Sequence, residues 1–541
     1  RPPGPSPLGP PSPCTPQTTW RGAGEGGGTT TAQAGAGAGL SNGARSALLG
    51  IDLGTTAVKS GVFDARTGEM LGVARAEYSP TSPHSGWMEL AAEEYWRATV
   101  EAIREAHEAA GQPEVVGIGL SSQGQTFLPL DDDRKPLRPA IVWLDTRAEA
   151  EARRLNEMLD AEELRARRGA TAINAVDSAP KILWLRENEP EVWARARHLV
   201  MLPDFTGERL TGELRLDVSN AGSTAMVDRT ARRSGALGDW WPAALEAVGV
   251  PREMLSPLGS AGEPIGALTQ EAAEALGLRA GATVALGCND QLAGAVGAGN
   301  VQPGIASGTA GTAMAIVSTT DATERPLEGV LHGAHAVPGL RYLLTYAKTS
   351  GVLLTWLRDL LGAEDYEELL SAAREAPIGC DGLICLPHFS GTATPSFRSD
   401  VRGGFVGLTL AHGRPAVARA VVEAVCFCAR DALALARRNG QPVKELRMLG
   451  GAAQSDWWMQ TMADVTKTPL AVPACPDAAV LGAAIFGGVG AGLLSSIDEA
   501  AREFYRADRR FDPNTAVAPD CDAAYAAYRD AMERAYPGAL G

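Results

Sequence analysis

The chain is poor in cysteine, carries no excess of positive charge and contains no long apolar run, and each shortage closes off a class of protein. Eight cysteines stand in 541 residues, at positions 14, 288, 380, 385, 426, 428, 475 and 521. No C-x-x-C pair occurs among them, so neither a zinc-ribbon spacing nor a disulfide framework is indicated. Cys426 and Cys428 are the closest pair, in a helical pattern where residues two apart point to different sides. Core thiols in a reducing compartment are the expectation, and with it a cytoplasmic location. The formal net charge of -15 argues against a nucleic acid or an anionic membrane as partner. It leaves room for a phosphate ligand, because backbone N–H groups and one metal ion can hold phosphates locally. No apolar stretch reaches the length of a membrane span.

The chain does hold an ordinary globular mixture, at a length too great for one typical core, so two or more domains are expected. Residues 1–46 stand apart. Proline crowds the first sixteen, and glycine, alanine and threonine crowd residues 22–43. Such a stretch cannot bury enough apolar surface to offset ordering entropy and is expected to be disordered. It lacks the charged start and apolar run of a signal peptide.

From residue 47 strands and helices alternate, which indicates an α/β architecture. Residues 47–51 and 57–63 read as strands around the turn Asp52-Leu53-Gly54-Thr55-Thr56, with Lys59 near the start of the second. Residues 93–110 have helical spacing, with His107 as a boundary packing residue. Residues 115–120 and 139–144 read as strands, the latter ending at Trp143-Leu144-Asp145-Thr146-Arg147. Residues 304–317 repeat the strand, Gly/Thr turn, strand scheme around Gly308-Thr309-Ala310-Gly311-Thr312. One copy per half suggests two similar domains facing a shared cleft. A long helix spans Val417 and Leu435, and residues 446–449 form a strand running into Gly450-Gly451-Ala452-Ala453. The boundaries expected are a disordered 1–46, an N-terminal domain 47–300, a C-terminal domain 301–492 and a helical tail 493–541.

Three turns and one carboxylate carry the chemistry. A phosphate chain needs converging N–H donors, close backbone approach and hydroxyls, which the two Gly/Thr turns supply. Asp52, opening the first turn, can hold Mg²⁺ directly or through water. Each turn alone reads equally well as a plain hairpin. Gly450-Gly451-Ala452 joins a strand to a helix over residues 455–465, as nucleotide-cradling turns do, or as any tight connection does. Asp290 follows the apolar strand 282–286 and precedes the small-residue helix 292–299, where α/β active sites lie. Phosphoryl transfer needs a base beside the attacking hydroxyl, and Asp290 suits it. A helix N-cap is the competing role. Trp143 suits an apolar floor for a sugar or simple core packing, and Asp145 offers hydroxyl acceptors.

These motifs, in this order, resemble the FGGY family of carbohydrate kinases within the actin/Hsp70/sugar-kinase superfamily. Lys181-Ile182-Leu183-Trp184-Leu185-Arg186-Glu187-Asn188 and Gly403-Gly404-Phe405-Val406-Gly407-Leu408 are similar to its two signatures, imperfect at Val176 and Ala416. Gly450-Gly451-Ala452-Ala453-Gln454-Ser455 and Ala479-Val480-Leu481-Gly482-Ala483-Ala484 resemble its adenosine motif. The resemblance implies two RNase H-like domains with ATP and a sugar in the cleft between them. It implies Asp290 as catalytic base and Asp52 as the carboxylate associated with Mg²⁺. It places ATP at Gly54, Thr55, Thr56, Lys59, Gly308, Thr309, Gly311, Gly450, Gly451, Ala452 and Ser455. Gly124, Gln125, Trp143, Asp145 and Gln291 fall at the acceptor, and a homodimer is a family-level expectation.

Within the family, Ala179-Pro180-Lys181 and Leu202-Pro203-Asp204-Phe205 are similar to xylulokinases, whose substrate is the ketopentose D-xylulose. The departures cluster at the acceptor. Xylulokinases typically carry Gln-Met-His-Gly where this chain has Gln123-Gly124-Gln125-Thr126, and Gly-Glu-Arg-Thr-Pro where it has Gly391-Thr392-Ala393-Thr394-Pro395. Gln291 stands where they carry Asn and glycerol kinases carry Gln. Ribulose, glycerol, erythritol and gluconate are therefore alternative acceptors. A nonenzymatic ATP sensor on the same fold is the alternative of a different class, disfavoured because both Asp52 and Asp290 are present.

Overall fold

A computed structural model describes residues 46–170, 172–233, 236–321 and 329–541. The segment 1–46, expected to be disordered, lies outside the described residues except for Ser46, which opens the first strand.

The first half is organised by the strand Ser46–Leu53, whose run Ala47 to Ile51 is buried throughout, as a central strand covered on both faces requires. After a short turn the chain returns antiparallel as Ala57–Asp64 and again as Met70–Glu77. On the other side Glu114–Ser122 runs parallel to it, followed by parallel Thr283–Asn289 and an antiparallel edge strand Pro264–Ala267. Helix Ala92–Ala109 lays Tyr95, Ala98, Ala102, Ile103 and Ala106 on one face of this sheet. His107, at its end, is buried, and its Nε2 lies 2.9 Å from the Pro113 carbonyl.

The second half repeats the plan. Ile305–Ala310 pairs antiparallel with Met314–Thr320, which pairs with Arg341–Ala347. Glu445–Leu449 and Leu470–Pro473 run parallel on its other side. Helix Arg414–Arg438 covers the sheet with a nearly continuous buried face. The duplicated strand-turn-strand is thus the seed of two sheets that share the order of their central strands, six strands in the first and seven in the second.

One element ties the halves together. Helix Ala478–Gly490 belongs to the second half in sequence but packs on the first sheet. A Cβ on Gly50 would lie 1.9 Å from the Val480 carbonyl oxygen, and one on Gly119 would lie 1.9 Å from that of Ala483. Only glycine lets the helix backbone settle onto the strands at this distance.

Two expectations are corrected. The strand over 139–144 shrinks to Ala140–Ile141, because the chain turns at once to bury Asp145. The tail contains more than helices. Ala507–Phe511 pairs antiparallel with Leu470–Pro473 and closes the edge of the second sheet. Among the described residues no helix is long and apolar enough to cross a membrane.

Candidate active site

Three parallel strands of the first sheet end side by side. Asp52 is in register with Ser121, and Ser121 with Cys288; one step on, Leu53, Ser122 and Asn289 form the next row. Asp290 is the first residue beyond. The carboxyl ends of the strands therefore deliver Asp52 and Asp290 to one place, as open α/β sheets do. Ser121 Oγ donates to Asp52 Oδ1 at 2.7 Å. Asn289 caps helix Asp290–Gly297, its side chain accepting from the Gln291 N–H. The cap role weighed for Asp290 thus falls mainly to its neighbour, although Asp290 Oδ1 also lies 2.7 Å from that N–H.

Burial, with the nearby Asp52 charge added, pushes the Asp290 carboxyl up to about 7. Burial likewise raises Asp52, against the lowering effects of the Ser121 hydrogen bond and Lys59. Two desolvated carboxylates that repel one another suit a divalent cation, which would relieve both penalties. Among the described residues no three acidic, histidine or cysteine side chains cluster for a metal. The pair fits Mg²⁺ in its usual style, with one or two carboxylates and the remaining ligands from water and phosphate.

The turns are exposed where a ligand would need them. In the first, Thr56 is exposed and Gly54 and Thr55 are half-buried. The Gly54 carbonyl is fixed by Gln123 Nε2 at 2.8 Å and by the Tyr78 hydroxyl. In the second, Thr312 is exposed and Gly311 has open space where a Cβ would stand. Gly308 lies deeper, its Cβ position filled by Met448 Sδ at 2.6 Å, so it serves packing rather than ligand approach. The third abuts the second. Gly450, at φ +86°, has its Cβ position 3.0 Å from the Ala310 carbonyl oxygen. Gly451 is exposed with open space around it, Ala452 is buried, and Ser455 caps helix Asp456–Thr466 through the Trp458 N–H.

Several expected residues are placed differently. Asp145 is fully buried, and its oxygens are taken by the Met88 N–H at 2.5 Å and by Arg147, whose Nη2 lies at 2.7 Å. Arg147 is itself stacked on Trp87. Asp145 is therefore a structural carboxylate and offers nothing to a sugar. The Trp143 indole donates to Thr55 Oγ1 at 2.8 Å, so this side chain braces the first turn. Lys59 Nζ is paired with Asp477 Oδ1 at 2.7 Å and lies close enough to Asp52 to lower that carboxyl. Gly124 opens no extra room, because Ser223 Oγ lies 2.8 Å from its Cβ position.

Gln125 follows Gly124, whose Cβ position lies 3.3 Å from Asn289 Nδ2. Its backbone adopts φ +63°, held by Ser223 Oγ on its N–H at 2.9 Å and by Ser178 Oγ on its carbonyl at 3.0 Å. Its Nε2 reaches Asp177 at 3.3 Å. Gln291 lies beside Asp290. Ser121, Asp177, Ser223 and Asp477 were missed by motif reading. Asp477 alone left a signal, standing two residues before the Ala479–Ala484 motif. A cavity of about 40 Å³ lined by Met314, Tyr346, His388 and Asp431 lies inside the second half, too small for a sugar or a nucleotide.

The chain matches the N-terminal domain of the FGGY family of carbohydrate kinases over residues 47–297 and its C-terminal domain over residues 304–491. It is 29% identical to the xylulose kinase of Bacillus subtilis strain 168, covering 86% of this chain and 92% of that protein. It is 30% identical to the autoinducer-2 kinase of Yersinia enterocolitica, covering 86% of this chain and 90% of that one. A crystal structure described as a xyloylose kinase from Brucella ovis superposes with a TM-score of 0.81 at 30% identity, covering 91% of this chain and 99% of that one. With both domains matched in order, the chain belongs to the FGGY family of carbohydrate kinases.

Proposed function

We propose that this carbohydrate kinase transfers the γ-phosphate of ATP to a hydroxyl of a ketopentose, D-xylulose first among them, with Asp290 as the general base. The observation that carries this is the pair of half-buried carboxylates at the strand ends, with Asp290 raised to about 7, where a base can both accept a proton and remain available at neutral pH. Asp290 takes the proton of the attacking hydroxyl. The hydroxyl oxygen bonds to the γ-phosphorus as the bond to the bridging oxygen breaks, and ADP leaves with that electron pair. The Gly54 and Gly311 N–H groups close their own turns onto the Ala57 and Ala313 carbonyls, which leaves the N–H and hydroxyl groups of Thr55, Thr56 and Thr312 to receive phosphate oxygens. Mg²⁺, held near Asp52, would neutralise phosphate charge when bound. Gln125 and Gln291 border the acceptor.

The xylulose kinases among the relatives support the ketopentose. The autoinducer-2 kinase is as similar, and Gln125 departs from the xylulokinase pattern, so the acceptor panel must be wider. ADP release with Mg·ATP should be measured with D-xylulose, L-xylulose, D-ribulose, L-ribulose, glycerol, erythritol, gluconate and autoinducer-2. Strong turnover on one ketopentose is expected, falling by ~10²–10⁴ in Asp290→Asn. Normal turnover by a folded Asp290→Asn protein would remove Asp290 from the role. A wild-type chain that binds ATP yet responds to no acceptor would sink the kinase assignment in favour of a nucleotide sensor.

A further inference from the structure

The expected lysine, Lys59, already shares its charge with Asp477. Another lysine has no such partner. Lys348 is half-buried and makes no hydrogen bond or ion pair among the described residues, and burial alone draws its pKa down. A desolvated ammonium with no carboxylate beside it carries a cost that an anion from outside the chain would offset.

Its position is fixed from three directions. The strand Arg341–Ala347 alternates. Tyr342 and Leu344 join the cluster that contains Phe63, Cys288 and Leu292 of the first half. Leu343 and Ala347 pack into the second half instead. Thr349 continues the odd set, its hydroxyl donating to the Pro387 carbonyl. Lys348 follows the strand in a bend, opposite in sequence to Thr349, which is turned into the second half. Two residues before it, on the strand face that Tyr342 and Leu344 share, is Tyr346, which feels the Asp177 charge and stacks edge-on against Phe397 at 5.9 Å. Asp177 is the residue that holds the Gln125 side chain. Immediately after Lys348 the backbone is pinned to the second phosphate turn. The Ser350 N–H donates to the Thr312 carbonyl at 3.0 Å, and the Gly351 N–H to the Gly311 carbonyl at 2.7 Å. Lys348 therefore lies in the short segment that joins Tyr346, within reach of the Asp177 charge, to the second phosphate turn.

We propose that Lys348 is a phosphate-binding residue that receives the γ-phosphate oxygens of the nucleotide where they face the acceptor. This rests on the ATP-dependent kinase assignment above. The lysine supplies from the second half a positive charge that no carboxylate among the described residues pairs with, and it draws the two halves together around the transferring group.

The test is calorimetry on the full chain with Mg·AMPPNP and Mg·ADP, for wild type, Lys348→Met and Lys348→Arg. Lys348→Met is expected to lose ~10-fold or more in AMPPNP affinity, the size of one charge-assisted hydrogen bond. ADP affinity should change little, and Lys348→Arg should restore most of the loss. The melting temperature of Lys348→Met should not fall, since no partner is lost. Unchanged AMPPNP affinity in folded Lys348→Met overturns the proposal. So does a defect confined to turnover of an acidic acceptor such as gluconate with nucleotide affinity intact, which would place the anion on the acceptor. A wild-type chain that fails to bind AMPPNP overturns the ATP-dependent kinase assignment itself, a different failure read in the same experiment.

Discussion

Asp52 and Asp290 are coupled through space, and the coupling has a sign that kinetics can read. Asp290 must be unprotonated to accept the hydroxyl proton. Its carboxyl stands near 7 in the free protein, and kcat/KM reports the free protein. The expected profile rises about tenfold per pH unit below 7 and levels above it. Asp52→Asn removes one of the charges that raise Asp290, so the residual activity of that variant should hold to lower pH. A flat wild-type profile from pH 5 to 8 would contradict the base. Asp290 was legible in the sequence because an apolar strand and a small-residue helix bracket it. The fate of Lys59 was not, since its partner Asp477 lies 418 residues away. Asp145 misled for a related reason. A carboxylate in a loop reads as available until Met88 and Arg147 are seen to take its oxygens.

Glycines at the element scale divide into two kinds that look alike in the sequence. Gly50 and Gly119 lie mid-strand under helix Ala478–Gly490, where any Cβ collides with helix backbone. Gly311 lies in a phosphate turn with nothing within 4 Å of its Cβ position. Gly119→Ala should destabilise the protein by at least about 1–3 kcal/mol, the range for overpacking, because the atom met is backbone and cannot rotate aside. Gly311→Ala should leave the melting temperature nearly unchanged and weaken nucleotide binding, since a methyl group would stand where the backbone is meant to face phosphate. Thermal melts paired with AMPPNP titrations check both, and equal stability losses would erase the distinction. The turns themselves were readable from Gly/Thr content. Their separation into packing and ligand-facing glycines depends on a helix more than 350 residues downstream of the strands it covers, which no local pattern carries.

The whole molecule is a duplicated sheet plan whose second copy is finished by the C-terminal tail. The duplication could be seen in the paired strand-turn-strand segments. The tail's part in it could not, because Ala507–Phe511 mixes three charged residues with two apolar ones and takes its strand conformation from Leu470–Pro473 beside it. Helix Ala518–Ala535 then places Cys521, Tyr528 and Met532 in the same core as helix Arg414–Arg438, with Tyr528 stacked on Phe427 at 5.2 Å. Removing a single buried side chain of this size typically costs about 2–5 kcal/mol. Losing several together with an edge strand approaches the whole of a typical stability of ~5–15 kcal/mol. A chain ending at Gly492 is therefore expected to lose cooperative melting by near- and far-ultraviolet circular dichroism and to elute as aggregate. If it instead melted as sharply as the full chain and still bound AMPPNP, the tail would be separable from the second half's core, and the sheet would have to tolerate Leu470–Pro473 as a free edge.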